Sequence, residues 1–379
     1  MFMGKLLWIL LVFMVLQLQN AASQDSLDHV GWWIDCGSEV TRVDPNMTMW
    51  DTDEDFTRSG INKRVLDQQP LDEIQVFPDQ TDQNCYTFAP TMFLHKTLLY
   101  VIRAGFFYGN YDGLSNPPTF DLHLNGGKWS TVNTASRSGP IYHEIVYSLQ
   151  KSAILTVCLV QTRDEEVPFI STLEFMPLPD VLYPHLDPNI SFSLLEYGEP
   201  TWVAARSGTR ALPQMKFYNR IWTRGVTPPN CIQKNNHSFP DSNIVGVEND
   251  PPVPVLREPI VSNTCDPITL TVDLPTATPQ SAHFAFYITE LASRPFGSRD
   301  EQMQVGQVTL IVSGPTIKIT LAAYESCTLP PMITAVEVFA KNDLAPVQGK
   351  DNSANEQKHL SLSHFLLISV LCLVVSFIA

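Results

Sequence analysis

The chain has little positive charge for its length. Of its 379 residues, 24 are lysine or arginine and 39 are aspartate or glutamate, so the formal net charge is −15. An acidic surface repels the phosphates of nucleic acids and the headgroups of anionic lipids. We therefore exclude nucleic acid as a partner.

The sequence also lacks motifs that carry catalysis or bind metals. It contains no HExxH zinc motif, no GxSxG nucleophile elbow and none of the kinase loops. The acidic stretch DTDEDF at 51–56 does not have the spacing of a calcium-binding loop and is interpreted as an exposed acidic turn. We predict that the protein is not an enzyme, and we expect no metal and no cofactor.

No apolar run reaches the roughly 20 residues that a membrane-spanning helix needs. Residues 1–23 contain a shorter run followed by small residues, which predicts a secretory signal peptide. Near the other end, Asn352 and Ser353 precede a polar spacer and an apolar tail from Phe365. This order predicts a glycosylphosphatidylinositol (GPI) anchor on Asn352 or Ser353, and a C-terminal membrane anchor is the alternative.

Cysteines and glycosylation sequons agree with secretion. Of the seven cysteines, Cys372 lies in the tail, and the even number that remains predicts disulfides. Cys158 lies in the strand-like run AILTVCLV, where a buried free thiol and a bridge are both open. Three Asn-X-Ser/Thr sequons predict a glycoprotein: Asn46, Asn189 and Asn236.

Helical periodicity is missing between the two processing signals. The apolar segments are short, rich in β-branched and aromatic residues, and separated by turn residues, as in LLYVIRAGFF, AILTVCLVQ and TIKITLAA. The 29 prolines favour edges, turns and loops. We predict an all-β fold of the sandwich type.

Several of these segments occur twice in the same order. PFISTLEF at 168–175 aligns without gaps with PMITAVEV at 331–338, and we align the upstream FDLHLNG with VTLIVSG. The longer first copy is attributed to an insertion containing Trp129 and GPIYHEI. The repeat predicts two tandem β domains at 24–180 and 216–343, with a linker at 181–215 and a polar spacer plus anchor signal at 344–379.

A family resemblance rests on motifs that follow one another along the chain. WWIDCGS, FPDQTDQNCYT, YVIRAGFFYGNYDG, PFISTLEFMPL and LPPMITAVEVF resemble the signatures of the malectin-like ectodomain of plant receptor kinases, over nearly all of residues 30–343. The resemblance implies two malectin-like, jelly-roll-type β-sandwiches. After about residue 343 the sequence departs from the family's repeats and kinase, which implies a lipid-anchored, receptor-like protein.

The resemblance also suggests a ligand site. By similarity to the animal malectin lectin, Phe107 and Tyr108 take the aromatic positions of a sugar site, and Glu165 or Glu166 takes the acidic one. Aromatic faces stack on pyranose rings and carboxylates accept hydrogen bonds from hydroxyls. The adjoining turn adds Tyr111 and Asp112 as candidates, while a buried strand with its turn is the alternative interpretation of the whole segment.

The second domain is not expected to stack a sugar. There the stretch ITELAS places Ala292 and Ser293 where the aromatic pair would be. The second domain is therefore interpreted as a protein-contact or spacer module.

We expect an extracellular recognition protein on the outer face of the plasma membrane. Its expected ligand is a cell-wall glycan or oligosaccharide, or a signalling peptide, and its expected partner is a membrane receptor kinase. The alternative is a peptide-binding or protein-binding co-receptor module that binds no sugar.

Overall fold

The computed structural model describes most of both predicted domains. The described residues are 31–44, 48–65, 72–79, 84–89, 99–135, 139–149, 154–178, 182–184, 186, 191–194, 227–233, 248–249, 251, 256, 259–274, 277–291, 301–323, 330–342 and 374–378.

Strands make up the regular structure, and the described residues contain no α-helix. This confirms the all-β fold class. The strands are β1 (Trp32–Asp35), β2 (Arg42–Val43), β3 (Met49–Thr52), β4 (Ile61–Arg64), β5 (Glu73–Val76), β6 (Cys85–Phe88), β7 (Leu99–Phe106), β8 (Thr119–Leu124), β9 (Gly127–Asn133), β10 (Ile141–Ser148), β11 (Leu155–Gln161), β12 (Phe169–Ile170), β13 (Thr172–Pro177), β14 (Ser191–Leu194), β15 (Cys231–Gln233), β16 (Ile260–Ser262), β17 (Ile268–Asp273), β18 (Gln280–Leu291), β19 (Glu301–Val312), β20 (Thr316–Ala322), β21 (Met332–Ile333), β22 (Ala335–Asn342) and β23 (Val374–Ile378).

One ten-stranded sheet runs through both halves of the chain, in the order β19-β18-β22-β14-β10-β7-β13-β1-β3-β2. Its central link is β14, which pairs with β10 of the first half and with β22 of the second. β14 lies inside the predicted linker 181–215. The predicted domain boundaries stay a prediction, but part of the linker segment is a strand of the shared sheet.

Both faces of this sheet are covered around β7 and β10. The register aligns Ile145 with Ser193 and Ser193 with Ala340, so the two large apolar cores to which Ile145 and Ala340 belong lie on the same face. On the opposite face, Val101 and Val146 pack against residues of the segment that follows β13. β7 is consequently buried on both sides, whereas the sequence required only one buried face.

The repeated motifs pair in the same way in both halves. Glu174 of β13 stands opposite Arg103 of β7, and Glu337 of β22 stands opposite Ala285 of β18. The turns that precede the two glutamates also match, because Ser171 N donates to Gly105 O at 2.9 Å and Thr334 N donates to Tyr287 O at 2.8 Å. The two halves therefore share one pairing scheme.

The predicted alignment of FDLHLNG with VTLIVSG is wrong. VTLIVSG lies in β19, which pairs with β18 in the same way that β10 pairs with β7. The counterpart of β19 is therefore β10, which contains most of GPIYHEI, and the extra piece of the first half is the β8–β9 hairpin. Both segments alternate and end in a turn glycine, so the local pattern could not tell which sheet each one joins.

Disulfide formation agrees with the even number of cysteines. Cys85 and Cys158 are bonded and join β6 to β11, which decides the open question at Cys158. Cys265 is also disulfide-bonded. Cys36 and Cys231 are free and buried.

The stretch DTDEDF is not simply an exposed turn. Glu54 and Asp55 are exposed, but Asp53 is buried, and its Oδ2 accepts hydrogen bonds from Tyr86 Oη at 2.8 Å and from Gly37 N at 3.0 Å. Burial raises the pKa of Asp53, and these hydrogen bonds oppose that rise. The expectation of an exposed acidic turn is therefore wrong for Asp53. Its hydrogen bonds to Tyr86 and Gly37 tie the turn to the core.

Candidate functional site

The candidate residues lie in two neighbouring loops of the first domain. One loop, 107–118, joins β7 to β8, and the other, 162–168, joins β11 to β12. Glu166 Oε2 accepts a hydrogen bond from Thr119 N at 2.6 Å, and Thr162 Oγ1 donates to Thr119 O at 3.2 Å. These bonds tie the second loop to the start of β8, where the first loop ends.

Three aromatic rings form the floor between these loops. The rings of Tyr108 and Tyr111 meet edge to face, with centroids 5.5 Å apart, and both contact Phe169, at 6.2 Å and 5.4 Å. Phe169 is fully buried, whereas both tyrosines and Phe107 are half-buried and pack against the first core. The aromatic segment is thus partly core and partly surface. It has features of both interpretations of its sequence, a buried strand with its turn and an exposed aromatic site.

The polar groups of the first loop largely satisfy one another. Tyr108 Oη donates to Asp112 Oδ1 at 2.5 Å and accepts from Asn116 N at 3.2 Å. Burial, with this hydrogen bond to Asp112, raises the pKa of Tyr108 to about 12. The tyrosine therefore stays protonated at neutral pH, and what it offers a ligand is mainly its ring.

The two candidate glutamates differ in availability. Glu166 accepts from Thr119 N, and its Oε1 forms an ion pair with Arg163 at 3.2 Å. Glu165 is exposed and has a left-handed backbone conformation, with φ of 66°. Of the two, Glu165 is the carboxylate that faces solvent.

Sequence reasoning missed two residues of this surface. Phe169 was treated only as part of a repeat motif, although its position after the acidic loop could have identified it as the ring beneath the tyrosines. Leu114, at the tip of the first loop, is 69% exposed. No sequence signal pointed to Leu114, since a single apolar residue in a loop is ordinary.

The second domain has no aromatic pair at the equivalent position, but the predicted alignment there is wrong. Arg103 and Ala285 occupy matching places opposite the repeated glutamates. Moving the same distance along each strand brings Thr289 and Glu290, not Ala292 and Ser293, to the places of Phe107 and Tyr108. Ala292 and Ser293 lie outside the described residues.

An acidic cluster near β2 escaped the sequence analysis. Asp35, Asp72 and Glu73 bring carboxylate oxygens within 4.8 Å of one another, a spacing that could hold a metal ion. Arg42 forms ion pairs with all three of them, at 3.1 Å to Asp72 and 2.8 Å to Glu73. The Arg42 guanidinium thus already occupies the place among these carboxylates that a cation would take.

A serine–histidine contact lies between β9 and β10. Ser130 Oγ and His143 Nδ1 are 3.1 Å apart. His143 Nε2 is buried and has no hydrogen-bond partner among the described residues. A catalytic triad needs an acid at that second nitrogen to orient the imidazole, so this pair does not form one within the described structure.

The comparisons with known proteins show the family. The profile of the malectin-like domain matches residues 34–341, and the chain therefore belongs to the malectin-like family. Domains of this family in receptor ectodomains are binding modules rather than catalytic ones, and the kinase region of the relatives is not covered by this chain.

The matched relatives include plant receptor-like kinases. A probable LRR receptor-like serine/threonine-protein kinase of Arabidopsis thaliana is 29% identical over 366 residues, which covers 88% of this chain but 40% of the kinase. The crystal structure of the ANX2 ectodomain from Arabidopsis thaliana superposes with a TM-score of 0.62 at 12% identity and covers 84% of this chain and 98% of that one. A chain in the crystal structure of plant peptide RALF23 in complex with FER and LLG2 superposes with a TM-score of 0.56 at 13% identity. The match covers 84% of this chain and 96% of that one.

Several predicted features fall outside the described residues. They are the signal peptide 1–23, the sequons at Asn46, Asn189 and Asn236, and the anchor residues Asn352 and Ser353. Among the described residues, no helix has the length and apolar character needed to span a membrane.

Proposed function

We propose that this chain is an extracellular recognition protein, a receptor-like protein or co-receptor, and that residues 107–118 and 162–168 form its ligand-contact surface. The supporting observation is the group of half-buried tyrosines, Tyr108 and Tyr111, over Phe169, with the exposed carboxylate of Glu165 on the neighbouring loop. Aromatic side chains are enriched at binding surfaces.

A signalling peptide is the first candidate ligand, with a membrane receptor kinase as partner. The hydroxyl of Tyr108 is occupied by Asp112 and Asn116, so the surface offers ring faces and the exposed Leu114 more than free hydrogen-bonding groups. Apolar and aromatic side chains of a peptide suit such a surface. A neighbour of the same fold comes from a complex with a peptide, which supports this choice.

A cell-wall oligosaccharide is the second candidate. The exposed carboxylate of Glu165 could accept hydrogen bonds from sugar hydroxyls while Tyr108 or Phe107 stacks on the ring. The resemblance to the animal lectin favours the same residues.

The test compares binding by matched variants. The purified protein is presented to a cell-wall glycan array and to a panel of secreted plant peptides, alongside Phe107→Ala/Tyr108→Ala and Glu165→Gln. Asp273→Asn, which alters an exposed carboxylate on β17, serves as the matched control. We expect saturable binding of a peptide or glycan that the site variants weaken at least tenfold and the control does not; equal binding by all proteins would remove these loops from the proposal.

Secretion, glycosylation at the three sequons and lipid anchoring at Asn352 or Ser353 are part of the same proposal. Release of the protein from intact cells by phosphatidylinositol-specific phospholipase C is expected. Retention on the cells after that treatment would favour a C-terminal membrane anchor instead.

A further inference from the structure

The smaller sheets of the two domains differ in how one strand is flanked. In the first domain β11 lies between β6 and β8, and β8 comes from the β8–β9 hairpin. In the second domain β20 lies between β17 and β23. β23 therefore takes the place that the hairpin takes in the first domain.

The second domain has no hairpin of its own to fill this place within the described residues. β19 pairs with β18 in the large sheet, as β10 pairs with β7, and the chain then passes directly to β20. Without β23, the described structure leaves one edge of β20 with unpaired backbone groups. Open edges of this kind are the usual sites at which an extended segment adds to a sheet.

The free edge of β20 favours a partner strand in which apolar and polar residues alternate. Ile317, Ile319 and Leu321 of β20 are buried in the second core, while Lys318 between them is exposed. In a strand that pairs with β20, every second residue therefore lies on the same face of the sheet as Ile317, Ile319 and Leu321, which we call the core row; the residues between them form the outer row.

The segment β23 fits that pattern. Its antiparallel register sets Phe377 opposite Ile319 and Val375 opposite Leu321, with the polar Ser376 opposite Thr320. Val375 and Phe377 thus stand on the core row, while Ser376 stands on the outer row together with Val374 and Ile378, which lie opposite Ala322 and Lys318.

We infer that the free edge of β20 is a strand-acceptor site, covered by Val374–Ile378 in the unprocessed chain and opened when that segment is removed. The occupant of the opened site is an extended partner peptide with apolar residues at alternate positions. The opening step rests on the proposed function, because GPI attachment would cleave the tail. The acceptor edge itself does not depend on the anchor.

The first experiment uses the full chain and hydrogen exchange. The amides of 316–322 that donate towards β23 are expected to be protected in the wild type and to exchange at least tenfold faster in Val375→Pro/Ser376→Pro, because proline has no donor and two successive prolines remove whichever of the two residues donates to β20. The alternate amides, which donate towards β17, should stay protected in both proteins. Ser363→Pro, upstream of the strand, is the matched control and should leave protection unchanged. Equal exchange in the double variant and the wild type would overturn the inference.

The second experiment supplies the strand from outside. A synthetic peptide of residues 373–379, with added lysines for solubility, is expected to bind the double variant saturably, to restore protection of 316–322 and to bind the wild type at least tenfold more weakly. Failure to bind the double variant, or equal binding to both proteins, would refute the site. Dimerisation of the double variant without peptide would assign the edge to a second copy of the chain and also contradict the proposal.

Two controls keep these results interpretable. Exchange of β7 amides reports whether the first domain remains folded, and Ser376→Pro alone is measured as a milder variant. These measurements use purified protein, so they are independent of phospholipase release and of binding at Tyr108. Failure of the acceptor edge and failure of the proposed function are therefore distinguishable.

Discussion

At the residue scale, the least expected feature is a buried charge cluster in the large sheet. Arg103 is 1% exposed, and its guanidinium bonds Glu144 Oε1 at 2.6 Å and Glu174 Oε2 at 3.0 Å from the two neighbouring strands. In the second half, Ala285 replaces the arginine, and Glu337 instead accepts hydrogen bonds from two tyrosines. The repeated glutamate thus has a partner in both domains, but a different one in each.

Removing the arginine alone should be costly. Arg103→Met is expected to lower the free energy of unfolding by about 3–5 kcal/mol, because two buried carboxylates lose their counter-charge. The triple change Arg103→Met/Glu144→Met/Glu174→Met should recover most of that loss. Urea denaturation measures both, and a loss below about 1 kcal/mol in the single variant would contradict the buried triad.

His143 should make the protein sensitive to acid. Burial lowers the pKa of His143 to about 4, below its ordinary value of about 6.5. Because the folded pKa is depressed, the stability that the neutral imidazole contributes is complete above pH 6.5 and is lost as the pH falls through about 4.

The matched variant is His143→Gln, which keeps a polar group near Ser130. Between pH 7 and pH 4 the wild type should lose about 3 kcal/mol more unfolding free energy than this variant. Urea denaturation at a series of pH values gives the difference. Parallel curves for the two proteins would mean that His143 does not titrate in this range.

At the element scale, the loop after β7 depends on the close approach of Gly109 to the side chain of Val65. Gly109 has φ of +48°, and a Cβ placed there would lie 1.8 Å from Val65 Cγ1. Either the loop or the chain around Val65 must therefore shift if a side chain is added. This contact fixes the loop that carries Tyr108 and Tyr111.

Gly109→Ala is expected to destabilise the protein by about 1–3 kcal/mol and to disturb the ligand-contact loop. Gly126→Ala is the matched control, because Gly126 also has positive φ, +81°, but a Cβ added there would meet nothing within 4 Å. Thermal denaturation compares the two. The steric explanation fails if Gly126→Ala costs as much as Gly109→Ala.

At the scale of the whole molecule, the two halves are joined by more than the shared sheet. Tyr183, which lies in the predicted linker, donates to Glu337 Oε1 at 2.7 Å, and its backbone N donates to Asn249 Oδ1 at 3.1 Å. Tyr287 donates to Glu337 Oε2 at 2.6 Å. This buried network connects the segment after the first domain to the sheet of the second.

Tyr183→Phe removes one of these donors without removing the ring. We expect Tyr183→Phe to lower the unfolding free energy by about 1–3 kcal/mol in urea denaturation, because a buried carboxylate oxygen loses its partner.

Calorimetry should show one cooperative unfolding transition in the wild type, since β14 and this network join the halves. Two separate transitions in the wild type would mean that the halves unfold independently.

The sequence alone determined the fold class and the duplication, and the family resemblance led to the candidate loops. Alternating β-branched residues, prolines and turn glycines are local signals, and they suffice for strands and turns. They also identified Phe107, Tyr108, Tyr111 and Asp112 as one segment. Whether those residues bind a ligand stays a prediction.

The tertiary structure alone decided which strands pair. It placed β14 between the halves, made β10 rather than β8 the counterpart of β19, bonded Cys158 to Cys85, and brought Phe169 beneath the tyrosines. Strand patterns repeat every two residues and look alike, so the sequence carries little information on partners that lie far apart along the chain. Strand pairing is decided by the whole chain, because the same arrangement must bury the apolar residues of two cores and give the buried polar groups their hydrogen-bond partners.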